Sequence, residues 1–146
     1  MAASKKERGD ETMKTNTPAL IVARPGRLRD AWRALLMATP LIGHVHQADD
    51  EPSALGLVES VQPQLVLLDS DMADGGPWTL LQQIKADHPE CGSVVLVCNL
   101  QERAQAEAAG ADVVLLRGFP AERLFQVIEE LLHRAKIVDT LDDVPA

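Results

Sequence analysis

The chain is short of cations. Its 146 residues carry 14 Lys and Arg against 22 Asp and Glu, a formal net charge of −8. Binding to nucleic-acid phosphates needs a surplus of Lys and Arg, so this balance argues against nucleic acid as the main partner and against an anionic membrane surface. Long apolar runs are also missing; none approaches the roughly 20 residues that span a bilayer. The opening stretch MAASKKERGDETMKTNTP has charges with no apolar core after them, which excludes a secretory signal. Its polar composition predicts a disordered leader over residues 1–17. Cysteine is scarce, with only Cys91 and Cys98 present, on either side of an apolar run. As a strand at ~3.3 Å per residue, that run sets them roughly 20 Å apart, too far for a disulfide. Reduced thiols suit the cytoplasm. No Gly-rich phosphate loop follows the first apolar run: ARPGRLRD lacks the GxGxxG spacing. There is no nucleophile elbow and no zinc signature. His44 and His46 share one strand face, but two histidines make a weak metal site. No metal or cofactor is expected.

What is present is regular. Hydrophobic residues make up 46% and charged residues 25%, the balance of a globular domain with its own core. After Pro18, short apolar runs alternate with longer stretches of helical period. The runs are ALIVA (19–23), HVHQA (44–48), LVLLD (65–69), SVVLVC (93–98) and DVVLL (112–116). Four are almost continuously apolar, as strands buried on both faces should be. Between them Leu28, Trp32, Leu35 and Leu36 recur at helical spacing, as do Trp78, Leu81 and Ile84, and Leu124, Ile128, Leu131 and Leu132. Segments 52–62 and 101–109 are weaker helices. Breakers fall where a β/α alternation needs them: Pro25-Gly26, Pro63, Gly75-Gly76-Pro77 and Gly110. In the segment ADDEPS, Asp49 and Asp50 read as helix N-terminal acids. Five βα units predict a parallel sheet with helices on both faces. Such sheets place their sites beyond the C-terminal ends of the strands, which singles out Ala23, Arg24, Asp69, Cys98 and Arg117.

At those positions the chain resembles the receiver domain of two-component response regulators, from residue 19 to about 134. IVARPGRLRDAWRALL resembles the opening strand and helix, most closely in the nitrate-responsive subfamily. QPQLVLLDSDM resembles the phosphoacceptor strand, with Asp69 at its end and Met72 three residues on. GADVVLLRGFPAERL resembles the last strand and helix, where the family has a Lys-Pro-Phe turn. The resemblance implies an α/β, flavodoxin-like (βα)5 three-layer sandwich with a five-stranded parallel sheet in the order 2-1-3-4-5. It also implies a chemistry: an acceptor aspartate, Mg²⁺ held by that aspartate and an acidic pair after the first strand, a hydroxyl after the fourth strand, a lysine after the fifth, and a switch aromatic.

This chain departs from nearly all of it. The acidic pair aligns with Ala23 and Arg24, the hydroxyl with Cys98, the lysine with Arg117, the following proline with Gly118 and the switch aromatic with Val114. Only Asp69 is kept. A hard cation loses its oxygen cage, and a guanidinium can pair with the carboxylate instead. Arg24 or Arg117 is therefore expected to pair with Asp69 in the metal's place, with Asp71 as a second partner. Cys98, following an apolar strand, is expected to be a buried, inert thiol. The expected module spans residues 18–136, with a flexible acidic tail over 137–146, and too few residues follow 134 for a DNA-binding helix-turn-helix. Fused to a DNA-binding region it would regulate transcription.

A degenerate receiver acting by phosphorylation-independent protein contact follows. Its partner would be a histidine kinase, another receiver or an output protein, with a homodimer also open to it. The family's usual contact face would here include Arg103, Arg117, Gly118, Phe119 and Pro120. Two alternatives stand beside this: a working phosphoacceptor using Asp69 with Mg²⁺, and a small flavodoxin-like nucleotide binder or enzyme.

Overall fold

A computed structural model describes residues 17–72 and 77–143. The predicted leader, up to residue 16, lies outside the described residues, as do Gly75, Gly76 and the last three residues of the tail. The elements alternate strictly: β1 (Thr17–Val22), α1 (Arg27–Met37), β2 (Ile42–Ala48), α2 (Glu51–Val61), β3 (Leu65–Asp69), α3 (Pro77–Asp87), β4 (Gly92–Val97), α4 (Leu100–Ala108), β5 (Val113–Leu116) and α5 (Ala121–Asp143). All four strand pairings are parallel and the spatial order is β2-β1-β3-β4-β5. This is the flavodoxin-like sandwich that the sequence predicts.

The near-continuous apolar runs have a simple cause: the sheet is covered on both sides. In β1, Ala19 and Ile21 join a core with Trp32 and Leu36 of α1 and Leu124, Val127 and Ile128 of α5. Their neighbours Leu20 and Val22 point to the opposite face, among Ala54 and Val58 of α2, Leu80, Leu81 and Ile84 of α3, and Ala106 of α4. Strand side chains alternate faces, so two helical layers require apolar residues at every position. Trp32 is buried, while Trp78 is only partly covered against the second core.

Local chemistry sets the boundaries. Asp50 caps α2 by accepting from Ser53 N at 2.9 Å, with Pro52 in the first turn. Asn99 caps α4 in the same way through Glu102 N at 2.8 Å. Two boundaries differ from the sequence reading. β2 starts at Ile42 rather than at residue 44, and α5 continues to Asp143, past the flexible tail expected from residue 137. Polar residues at the end of an amphipathic helix carry no stop signal, and this one meets neither Gly nor Pro before residue 145.

Candidate functional site at the strand ends

β3 delivers Asp69 to its own C-terminal end, where the residue is 5% exposed although charged. The chain then turns sharply: Met72 N donates to Asp69 O at 3.2 Å and Asp71 N donates to Asp69 Oδ1 at 3.1 Å. β5 brings Arg117 alongside, its backbone N–H still bonded to Val97 O at 3.0 Å. Its guanidinium forks. Nη2 donates to Asp69 Oδ1 at 2.7 Å, and Nε donates to Cys98 Sγ at 3.0 Å. Burial opposes the charged guanidinium, but the Cys98 and Asp69 contacts outweigh it and raise the Arg117 pKa above its ordinary value.

Of the two arginines expected at Asp69, Arg117 is the one that reaches it. Arg24 turns to the neighbouring residue, donating from Nε to Asp71 O at 2.8 Å, with Nη2 4.0 Å from Asp71 Oδ1. That ion pair is largely exposed, so water screens it. A third pair was not foreseen. Arg29, in the first turn of α1, donates from Nη1 to Ala23 O at 3.2 Å and pairs with Asp49 at the end of β2. Three aspartates at the strand ends thus each have their own arginine: Asp69 with Arg117, Asp71 with Arg24, and Asp49 with Arg29.

The donor set does not fit a Mg²⁺ ion. Ala23 supplies no side-chain oxygen, Asp69 Oδ1 is bound by Arg117, and the Asp71 carbonyl is bound by Arg24. An octahedral hard cation needs several oxygen ligands, and here the acid pair that would supply them is replaced by Ala23 and Arg24. Among the described residues no group of three or more His, Cys, Asp or Glu is placed to hold a metal.

Cys98 corrects the sequence reading. It is exposed rather than buried, because β4 ends at Val97 and the thiol lies on the turn. Cys91, at the other end of the strand, is the buried thiol, and burial pushes its pKa up to about 12. Sequence reasoning also missed Ser70 and Glu102. Glu102 Oε1 accepts from Ser70 Oγ at 2.8 Å and from Cys98 N at 2.8 Å. The one available signal was the Asn99-x-x-Glu102 spacing of a capping box.

On the expected contact face, Arg103 is exposed and pairs with Glu107 one turn on, at 3.4 Å. Gly118 and Pro120 are exposed, but Phe119 is half-buried against the first core and offers only part of its ring. Leu100 (68% exposed) and Leu116 (38% exposed) add apolar surface there that periodicity did not reveal. Val114, at the switch position, is half-buried and packs on the second core.

The fold matches solved structures. The receiver domain of NtrX from Brucella abortus superposes with a TM-score of 0.70 at 30% identity, over 79% of this chain and 98% of that one. The chain belongs to the receiver-domain family of response regulators. A CheY-like receiver domain from Methanospirillum hungatei matches in fold with a TM-score of 0.75 at 20% identity, over 84% of this chain and 98% of that one. The receiver domain of an HD domain-containing protein from Pseudomonas fluorescens does so at 0.75 and 22%, over 83% and 98%. No protein-family model and no curated protein matches the sequence. As a receiver domain the chain is a module of two-component signalling. No helix among the described residues is long and apolar enough to cross a membrane.

Proposed function

We propose that this receiver domain is a phosphorylation-independent interaction module, a pseudo-receiver that works by protein contact. The observation that carries this reading is the Arg117 fork on Asp69 and Cys98, which sets a guanidinium against the acceptor carboxylate. Phosphoryl transfer to an aspartate needs a free carboxylate oxygen and a cation to neutralise the incoming charge. Here Arg117 and the Asp71 N–H both bind Oδ1, the cation beside the carboxylate is part of the chain, and Ala23 and Arg24 offer no acid pair to hold a metal. The domain performs no chemistry of its own and needs no cofactor in this reading.

The partner is a protein: a histidine kinase, a second receiver or an output protein, with a second copy of this chain as a further choice. The contact face is built on α4, β5 and α5, with Arg103, Arg117, Gly118 and Pro120, and with Leu100 and Leu116 as its apolar part. Arg117→Glu is expected to weaken binding to a cognate partner, and unchanged binding would rule this face out. Two free cysteines fit a reducing compartment, which favours the cytoplasm.

The retained, buried Asp69 gives the competing reading its content: a working phosphoacceptor that recruits Mg²⁺ when Arg117 swings away. Incubation with Mg²⁺ and acetyl phosphate or beryllofluoride, followed by intact mass and amide NMR, separates the two. The module reading expects no adduct and no shift. A saturable adduct lost in Asp69→Asn would overturn it.

A further inference from the structure

Side-chain contacts at the strand ends close into a ring. Arg117 Nη2 binds Asp69, and Asp69 is followed in the chain by Ser70. Ser70 Oγ donates to Glu102 Oε1 at 2.8 Å, and the same oxygen accepts Cys98 N at 2.8 Å. Cys98 Sγ in turn accepts Arg117 Nε at 3.0 Å. The ring ties the β3–α3, β4–α4 and β5–α5 connections together through one carboxylate and one guanidinium.

Helix capping explains only part of this. A glutamate three residues after a capping Asn commonly reaches back to the backbone at the helix start, as Glu102 does to Cys98 N. Capping gives no reason for the second arm to Ser70, 32 residues away on another loop. That arm carries a cross-loop restraint. The segment it restrains holds Leu100, the most exposed large apolar side chain among the described residues.

We propose that Glu102 is a latch that fastens the β4–α4 turn to the β3–α3 loop and so fixes how the α4 end of the contact face is presented. The proposal rests on reading the domain as a fixed interaction module, since a latch of protein groups replaces a bound phosphoryl group as the organiser of the turn. The Cys98 N–H bond, with help from Ser70 and Arg117, holds the Glu102 carboxyl below the ordinary glutamate range. The latch therefore stays charged and closed at neutral pH.

The test uses the full chain and amide hydrogen exchange by NMR, with Ser70→Ala, Glu102→Ala and Glu102→Gln. Ser70→Ala leaves the cap intact and removes only the cross-loop arm. It is expected to speed exchange at the Cys98, Glu102 and Arg103 amides by at least about fivefold, without changing the amides of α3. Glu102→Ala should speed the same amides further. Glu102→Gln keeps an acceptor oxygen that suits a capping box, so it should fold even where Glu102→Ala does not. If Ser70→Ala leaves those amides within about twofold of wild type, Glu102 is a cap and nothing more, and the latch is wrong. The intact-mass experiment on Asp69 reads the module proposal separately, so an adduct and an unlatched turn are distinct failures.

Discussion

At the lower end of the sheet, Asp112 Oδ2 accepts from Lys85 Nζ at 2.9 Å, from Ser93 N at 2.8 Å and from Ser93 Oγ at 3.2 Å. Lys85 Nζ also donates to Cys91 O at 2.8 Å. At the upper end, Asp69 accepts from Arg117 at 2.7 Å and from Asp71 N at 3.1 Å. Each end thus pairs a carboxylate with a cation, but the partners differ in kind. Asp112 completes the hydrogen bonding of the buried Ser93 at the start of β4, and Lys85 adds a neighbouring backbone carbonyl. Asp69 depends on a long side chain that is 36% exposed. The lower knot is part of the fold's own hydrogen bonding. The upper one joins side chains that follow three different strands.

The largest expected effect breaks the lower knot. Asp112→Ala leaves the buried Ser93 N–H without its acceptor and a partly buried ammonium without its counterion, and should cost about 2–3 kcal/mol, read from the urea midpoint. A loss below about 1 kcal/mol would mean that water replaces the carboxylate and that the two ends are alike.

The upper pair is expected to be weaker but measurable. A double-mutant cycle on Asp69→Ala and Arg117→Ala should give a coupling of about 1 kcal/mol, falling as salt is added because Arg117 is partly exposed. A coupling near zero would remove Arg117 as the counterion and reopen Asp69 to phosphoryl chemistry.

Glycines sharpen the same contrast on a smaller scale. Gly110 (φ +106) and Gly118 (φ +94) sit at opposite ends of β5, both in backbone conformations that L side chains rarely adopt. A methyl at Gly118 meets nothing within 4 Å, whereas at Gly110 it would lie 3.3 Å from Lys85 Cγ. Gly118→Ala should cost about 1 kcal/mol from the backbone alone. Gly110→Ala should cost more, because it also pushes on the lysine of the lower knot. Equal shifts in Tm would show that Lys85 moves aside freely.

The sequence announces the lower-resolution half of this picture and hides the rest for identifiable reasons. Continuous apolar runs at LVLLD and SVVLVC mark strands buried on both faces, and the end of LVLLD marks Asp69. Arg117 was legible because strand order carries β5 to the same edge. Its competition with Arg24 was not, since the two arginines follow strands on either side of β3 and only the side-chain contacts decide between them. Cys98 was misread because one residue of strand length separates a buried position from an exposed turn. Ser70–Glu102, Arg29–Asp49 and Lys85–Asp112 all join residues at least 20 apart, and no local pattern encodes such contacts.

The smallest effect is the response to acid. The Glu102 carboxyl is held below the ordinary value of 4.5, first by the Cys98 N–H bond and then by Ser70 and Arg117, against the desolvation that opposes them. A carboxylate with a depressed folded-state pKa contributes stability that is fully present above its unfolded value and lost as pH falls through the folded one. Wild type should therefore exceed Glu102→Gln in urea midpoint at neutral pH, and the two should converge as the pH drops well below the glutamate range. Asp50, also lowered by its Ser53 cap, is present in both proteins alike. Ser70→Ala should shrink the gap, since it removes one donor that favours the charged form. A gap between wild type and Glu102→Gln that stays constant down to about pH 3 would mean that the Glu102 charge stabilises nothing, and the upper end would then be held by Arg117 alone.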